Sequence, residues 1–450
     1  MEPPATSASS ESSEQPPGVL RRAITASALG NATEWFDYGV YAYVATEIGH
    51  NFFPGEYETL ATLLVFAVSF VLRPLGGMVW GPLGDRLGRQ RVLALTIIIM
   101  SASTFCVGLL PGYATIGIWA PILLVLLRVV QGFSTGGEYG GAATFMAEYS
   151  PDRRRGFFGS FLEFGTITGF TFAVLVVAGT EAAIGDAAMT EWGWRIPFLI
   201  AGPLGLIGLY LRLKLEDTPV FRELAEHGEA EAEASGAFKD VFREYWPVML
   251  KLAGLVIALN VANYTLLAYL PTYLQGTINM SSGDTDLLVV VGQVAMLVFI
   301  PLAGGLSDRI GRKPLWWFSL IGLFVLAIPM FLLMSQGLGW AIVAFTVLGL
   351  VYVAQLATIS ATFPAMFPTH VRFTGFAITY NVATAAFGGT APFVNEWLIG
   401  STGDNLIPAY YMMAACAVGM LALARVPETA GASIRGRGIP TREPVSAAPR

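Results

Sequence analysis

Charge is what this 450-residue sequence has least of. Asp, Glu, Lys and Arg make up 13% of it, where a soluble domain carries about 25%. With 54% hydrophobic residues and a mean hydropathy of +0.60, that scarcity excludes a solvated globular chain and points to a polytopic membrane protein. Cysteine is scarcer still. Cys106 and Cys416 lie in separate apolar runs, which excludes a disulfide framework and a thiolate zinc site. The three histidines, His50, His227 and His370, fall near or within loops and read as surface residues. No basic tract is present to grip nucleic acid. There is no P-loop, metal-ligand cluster or nucleophile motif, and no connection is long enough for a soluble catalytic or receptor domain. An enzyme, a metal, a cofactor and an obligatory protein partner are therefore not expected.

What is abundant is long apolar runs. A helix needs about 20 mainly apolar residues to cross the hydrocarbon of a bilayer. Twelve runs qualify: 23–46, 59–81, 92–110, 118–146, 157–180, 196–213, 247–275, 287–306, 315–335, 339–363, 374–396 and 407–425. They are too long for barrel strands and lack their alternation. The expected fold class is an all-α membrane protein of 12 transmembrane helices in two pseudo-symmetric six-helix bundles. The expected organisation is an N-tail at 1–20, bundles at 21–213 and 247–426, a central loop at 214–246 and a C-tail at 427–450. Both tails are Pro-, Ser- or Gly-rich and read as disordered. Arg21 and Arg22 precede a run too long and too acidic for a cleaved signal, so it reads as a retained first span.

Lys and Arg fall in alternate connections: Arg21–Arg22, Arg86–Arg91, Arg153–Arg155, the central loop, Arg309–Lys313 and Arg372. The opposite connections carry acids such as Glu47, Glu56, Glu58, Asp284, Asp286 and Asp404. The positive-inside rule then places both termini in the cytoplasm and makes the span number even.

Three landmarks recur in order, a little over two hundred residues apart. "GPLGDRLGRQR" (81–91) is repeated as "GGLSDRIGRKP" (304–314). "EYSPDRRRG" (148–156) rhymes with "MFPTHVRFTG" (366–375), and "LEDTP" with "VPETA". Such a doubled set argues for two halves facing each other across a central cavity. "GxLxDRxGRxx", once per half between the second and third helix, resembles the signature of the major facilitator superfamily. Stretches such as "GNATEWFDYGVYAY", "QGFSTGGEYGGAATFMAEYSPDRRRG" and "FPAMFPTH" resemble its metabolite:proton symporter group. That resemblance implies a proton symporter that takes up osmolytes such as proline and glycine betaine by alternating access. The alternative it leaves open is a symporter of a carboxylate metabolite: 2-oxoglutarate, citrate or shikimate. It also implies that Asp85, Arg86 and Arg89, with Asp308, Arg309 and Arg312, hold the cytoplasmic side shut. The C-tail carries no heptads, so a coiled-coil osmotic sensor is not expected.

An ionised acid in mid-span costs about 2.5–3.5 kcal/mol, so the ionisable residues inside the runs are functional suspects. Asn31, Glu34, Tyr38 and Tyr41 share one face of the first run, with Asp37 beside Glu34. Arg128, Gln131, Thr135 and Glu138 fall within an arc of about 80°. Glu34, Asp37 and Glu138 are the candidates for proton coupling. Arg128 could receive a substrate carboxylate or neutralise a neighbouring acid. Glu163 reads as an edge residue or half of an ion pair, and Arg73, before Pro74, as structural or gating. The second-half runs hold no ionisable residue away from their borders, only neutral groups such as Asn263, Tyr264, Gln355 and Tyr380. These four, with Trp35, Tyr38, Tyr41 and Tyr139, are the remaining candidates for substrate contact, the aromatic rings as faces for a quaternary ammonium. Only Arg73 and Arg128 lie deep in the runs, which favours a zwitterion over a polyanion. The expected partners are a small-molecule substrate, protons and the lipid bilayer.

Overall fold

The structure, a computed structural model, describes residues 17–87, 89–136, 138–213 and 242–434. Most of the expected tails and central loop lie outside these residues, as do the side chains of Asp85, Arg86, Arg89 and Glu138.

The twelve apolar runs fold as twelve helical spans. Span 1 is Pro17–Tyr43; span 2, Glu58–Val71 continued by Arg73–Leu87; span 3, Arg89–Leu109. Span 4 is Trp119–Thr135 continued by Glu138–Tyr149; span 5, Arg155–Ile184; span 6, Arg195–Leu213. Span 7 is Trp246–Asn263, continued through Tyr264–Tyr269 to Leu270–Gly276; span 8, Ser282–Ile310; span 9, Arg312–Met334. Span 10 is Leu338–Leu356 continued by Ile359–Thr362; span 11, Thr369–Ala383, continued through Thr384–Gly388 to Ala391–Thr402; span 12, Ile407–Ala424. Among the described residues, eight helices are long and apolar enough to cross a bilayer by themselves, or nine if the bent pair Asp186–Gly193 and Arg195–Tyr210 is one span. Span 1 is not one of the eight: its Gly, Ser, Thr, Asn and Tyr residues, with the two acids, leave it less apolar.

Several spans change their winding midway. In span 7 the turn Tyr264–Tyr269 is π-helical. Pro271 follows it and has no N–H to give the carbonyl four residues back, so the helix takes up the mismatch as a wide turn. Span 11 has a matching π-turn at Thr384–Gly388, before Pro392. Span 2 breaks between Val71 and Arg73, next to Pro74. There it is crossed closely by span 4. A Cβ on Gly132 would collide with the Ser69 carbonyl, and one on Gly136 with that of Arg73. The glycines of "QGFSTGG" therefore let two backbones touch.

The halves meet along two seams. Span 5 packs along span 8, and span 2 along span 11. At the basic end of the bundle, Asp308 accepts hydrogen bonds from the backbone N–H groups of Gly156 (2.7 Å) and Phe157 (2.9 Å) at the start of span 5. Arg372 pairs with Glu148 of span 4 at 3.2 Å. At the acidic end, Gln293 of span 8 donates to the Tyr43 hydroxyl at 2.7 Å, and Ser282 bonds Glu181. Both ends are closed, so the conformation is occluded.

The repeated landmarks reappear as repeated bonds. Arg155 Nε donates to the carbonyl of Ala147 at 3.1 Å, and Arg372 Nε to that of Pro364 at 3.0 Å. Each reaches back eight residues to its own half. The Glu428 carboxylate of "VPETA" caps span 9, accepting from the N–H groups of Arg312 (3.1 Å) and Lys313 (3.0 Å), where the helix dipole favours an anion. Beyond it the segment 429–434 lies across the basic end. Its carbonyls receive Arg312 at Thr429 (2.9 Å), Arg155 at Ala432 (3.0 Å) and Arg372 at Ile434. One strap therefore bonds to both halves.

Candidate functional site

The ionisable residues of the first half converge between spans 1, 2 and 4. The break in span 2 projects Arg73 toward span 1, where its guanidinium meets Glu34 at 3.2 Å, both side chains buried. Arg73 also rests over the rings of Tyr38 (4.8 Å) and Phe70 (4.5 Å). From span 4, Arg128 donates to Gln131 at 2.5 Å and lies over Tyr41 at 4.0 Å. Gln131 passes the chain to Thr104 of span 3 (3.2 Å). The Tyr38 hydroxyl meets that of Thr135 at 3.1 Å. Tyr38 and Tyr41, expected as faces for a substrate cation, are thus already covered by the chain's own guanidinium groups.

Asp37 is different. It is 2% exposed; among the described residues neither of its oxygens makes a hydrogen bond of good geometry, and the hydroxyl acting on it is that of Thr104. The cations acting on it are Arg128 and, more weakly, Arg73. Nε and Nη2 of Arg128 are also unbonded, as are the Tyr264 hydroxyl and both polar atoms of the Gln355 amide. A buried polar group without a partner costs about 1–3 kcal/mol. Such unbonded polar atoms occur in both halves, Asp37 and Arg128 in the first and Tyr264 and Gln355 in the second.

Across the seam the contacts are aromatic. Trp35 lies 6.1 Å from Tyr264 of span 7, and Phe70 lies 5.1 Å from the same ring. Tyr139 of span 4 stacks on Tyr380 of span 11, with centroids 4.5 Å apart and planes at 15°. Within the second half, Asn263 of span 7 accepts from Tyr352 of span 10 at 2.9 Å.

Other expected residues sit elsewhere. Arg309 is exposed. Arg312 turns into its own half, toward Ala361 and Thr429. Of the second signature loop, Asp308 alone crosses the seam by a bond described here. Glu163 is neither an edge residue nor an ion-pair partner. It is 2% exposed and accepts from Tyr139 at 2.5 Å and Thr166 at 3.1 Å. Thr166 accepts in turn from Asn31, which holds the Trp35 indole. The sequence reading undervalued Glu163 because distance from a helix end does not tell which side faces the seam. The signal available was Tyr139 lying in the same strip of span 4 as the other candidates.

Known proteins share this architecture. A family profile described as Major Facilitator Superfamily matches residues 28–392. The proline/betaine transporter of Salmonella typhimurium is 46% identical over 429 residues, 93% of this chain and 86% of that one. The glycine betaine/proline/ectoine/pipecolic acid transporter OusA of Dickeya dadantii is likewise 46% identical, over 93% of this chain and 85% of its own. The ectoine/proline transporter ProP of Corynebacterium glutamicum is 41% identical over 96% of this chain and 89% of its own. Among solved structures, the proton:xylose symporter XylE bound to 6-bromo-6-deoxy-D-glucose superposes with a TM-score of 0.71 at 18% identity, covering 92% of this chain and 97% of that chain. That likeness concerns the fold. With the matched profile spanning most of its length, its twelve-helix two-bundle fold and its full-length relatives, this chain belongs to the major facilitator superfamily.

Proposed function

We propose that the protein is a proton symporter that takes up zwitterionic osmolytes, proline and glycine betaine among them, by alternating access. The observation that carries this reading is a pair of opposed charges buried together among the first-half spans: Asp37, whose oxygens make no hydrogen bond of good geometry among the described residues, and Arg128, with two unbonded donors. A zwitterion answers both. Its carboxylate suits the open fork of Arg128, and its cationic end suits Asp37 and the aromatic rings of Trp35 and Tyr264. The names of the full-length relatives support the same substrate class. A polycarboxylate is less well served. Arg73 is engaged by Glu34, and Arg128, though it faces Asp37, keeps two unbonded donors for a substrate carboxylate.

In this reading the rocking bodies are 21–213 and 247–426, joined by 214–246. The basic end faces the cytoplasm with both termini, following the positive-inside rule. Glu34, Asp37 and Glu138 serve proton coupling; Tyr139, Asn263, Gln355 and Tyr380 line the substrate path. Asp308 and its neighbours shut the cytoplasmic end. The test is uptake of labelled proline and glycine betaine into proteoliposomes under an imposed pH gradient, with citrate, 2-oxoglutarate and shikimate as competitors. Accumulation of proline or betaine that the acids do not inhibit is expected. Accumulation of a carboxylate instead would overturn the substrate class, and uptake indifferent to the gradient would overturn symport.

A further inference from the structure

Resting on the symport reading, we propose that Glu163 is a proton-carrying group of the cycle and that its charge sets the Tyr139–Tyr380 contact between the halves. Glu163 lies on span 5, against the seam, and is buried. The groups bonded to it are neutral hydroxyls, Tyr139 and Thr166. The titratable groups that face it are Tyr139 from span 4, Tyr352 from span 10 and Tyr380 from span 11. From span 1 the polar group in its network is the neutral Asn31. No Arg, Lys or His among the described residues acts on it. This sets it apart from Glu34, which has Arg73, and from Asp37, which has Arg128.

The consequence is a coupling rule. A carboxylate sealed away from water without a cation is strongly disfavoured, so the occluded state closes over Glu163 as the neutral acid. The proton comes from water when the acidic end is open and leaves to water when the basic end opens. Once ionised, Glu163 strengthens the pull on the Tyr139 hydroxyl, which already donates to it at 2.5 Å. The Tyr139 ring is stacked on Tyr380, so that pull is felt at a contact shared by both halves. Proton loss therefore disfavours closure at the point where the halves touch.

The test compares wild type with Glu163→Gln in proteoliposomes. A gradient of about 1 pH unit supports about 10-fold accumulation per coupled proton. Wild type is expected to approach that figure, whereas Glu163→Gln should only equilibrate substrate while exchanging labelled for unlabelled proline within about 2-fold of the wild-type rate. Glu163→Asp, which keeps the acid, should still accumulate, with a displaced pH profile. Wild-type accumulation by Glu163→Gln would overturn the proposal. Exchange and accumulation lost together in both the Gln and Asp variants would also overturn it, because Glu163 would then be a packing residue. A second readout needs no substrate: infrared difference spectra of the purified protein between acid and alkaline buffer. A protonated-carboxyl band lost in Glu163→Gln supports the assignment; an unchanged band overturns it. If wild type carries neither proline nor betaine, the substrate reading fails alone and the spectra still decide on Glu163.

Discussion

Arg128 holds a single side-chain bond and leaves two donors idle inside the bundle. Replacing it with Ala should raise the KM for glycine betaine about 10- to 100-fold, the worth of one or two hydrogen bonds to a charge. Arg128→Lys should recover only part of that, because an ammonium cannot offer a planar fork. Labelled uptake across a concentration series measures both. Glu47 lies in the short helix Ala45–Phe52 after span 1. Burial, and then the nearby Glu181 carboxylate, push it up from 4.5 to about 7. The folded protein therefore holds a proton there that the unfolded chain releases near 4.5. The stability it contributes is full below 4.5 and is lost as pH rises through about 7. The thermal midpoint should fall across that window, and Glu47→Gln should flatten the fall. Ionisable residues stand out within apolar runs, which is why Glu34, Asp37 and Arg128 were legible in the sequence. Their partners were not. The pairing of Glu34 with Arg73 depends on a helix break that the sequence marks only as a proline.

Helices yield more to reading than side-chain pairs do. All twelve apolar runs are helical, with ends within about six residues of those expected, because a chain crossing lipid must satisfy its backbone internally. The repeated landmarks also had a physical cause. Arg155 and Arg372 make the same eight-residue reach in each half, and Glu428 caps span 9. What the sequence concealed was the winding: π-turns at Tyr264–Tyr269 and Thr384–Gly388 leave no mark beyond a nearby proline or glycine. Helix contact offers a clean test. A Cβ at Gly132 meets the backbone of span 2, whereas one at Gly179 meets nothing within 4 Å. Gly132→Ala should destabilise the protein by about 1–3 kcal/mol through overpacking and lower its thermal midpoint in detergent. Gly179→Ala, in span 5, should leave the midpoint unchanged or slightly raised.

The molecule as a whole is shut at both ends by a short set of polar contacts. Asp308→Asn weakens the two bonds that join span 8 to the start of span 5. It should open the basic end more often, and a cysteine placed at Ala377, which packs against Gly140, should then alkylate faster. A label rate equal to that of the unmodified gate would show that these bonds do not hold it. The seam there rests on Asp308, the Arg372–Glu148 pair, the Asn381 amide on the Gly136 carbonyl and the strap. Hydrogen bonds to charged groups are worth about 1.5–3 kcal/mol each, and a ligand held at micromolar strength carries about 8 kcal/mol. The two quantities are of one order. Each arginine's eight-residue clasp lies within its own half, so breaking the bonds across the seam does not require breaking it. Cargo arriving or departing is enough to tip such a balance, and turnover needs no unfolding of either bundle.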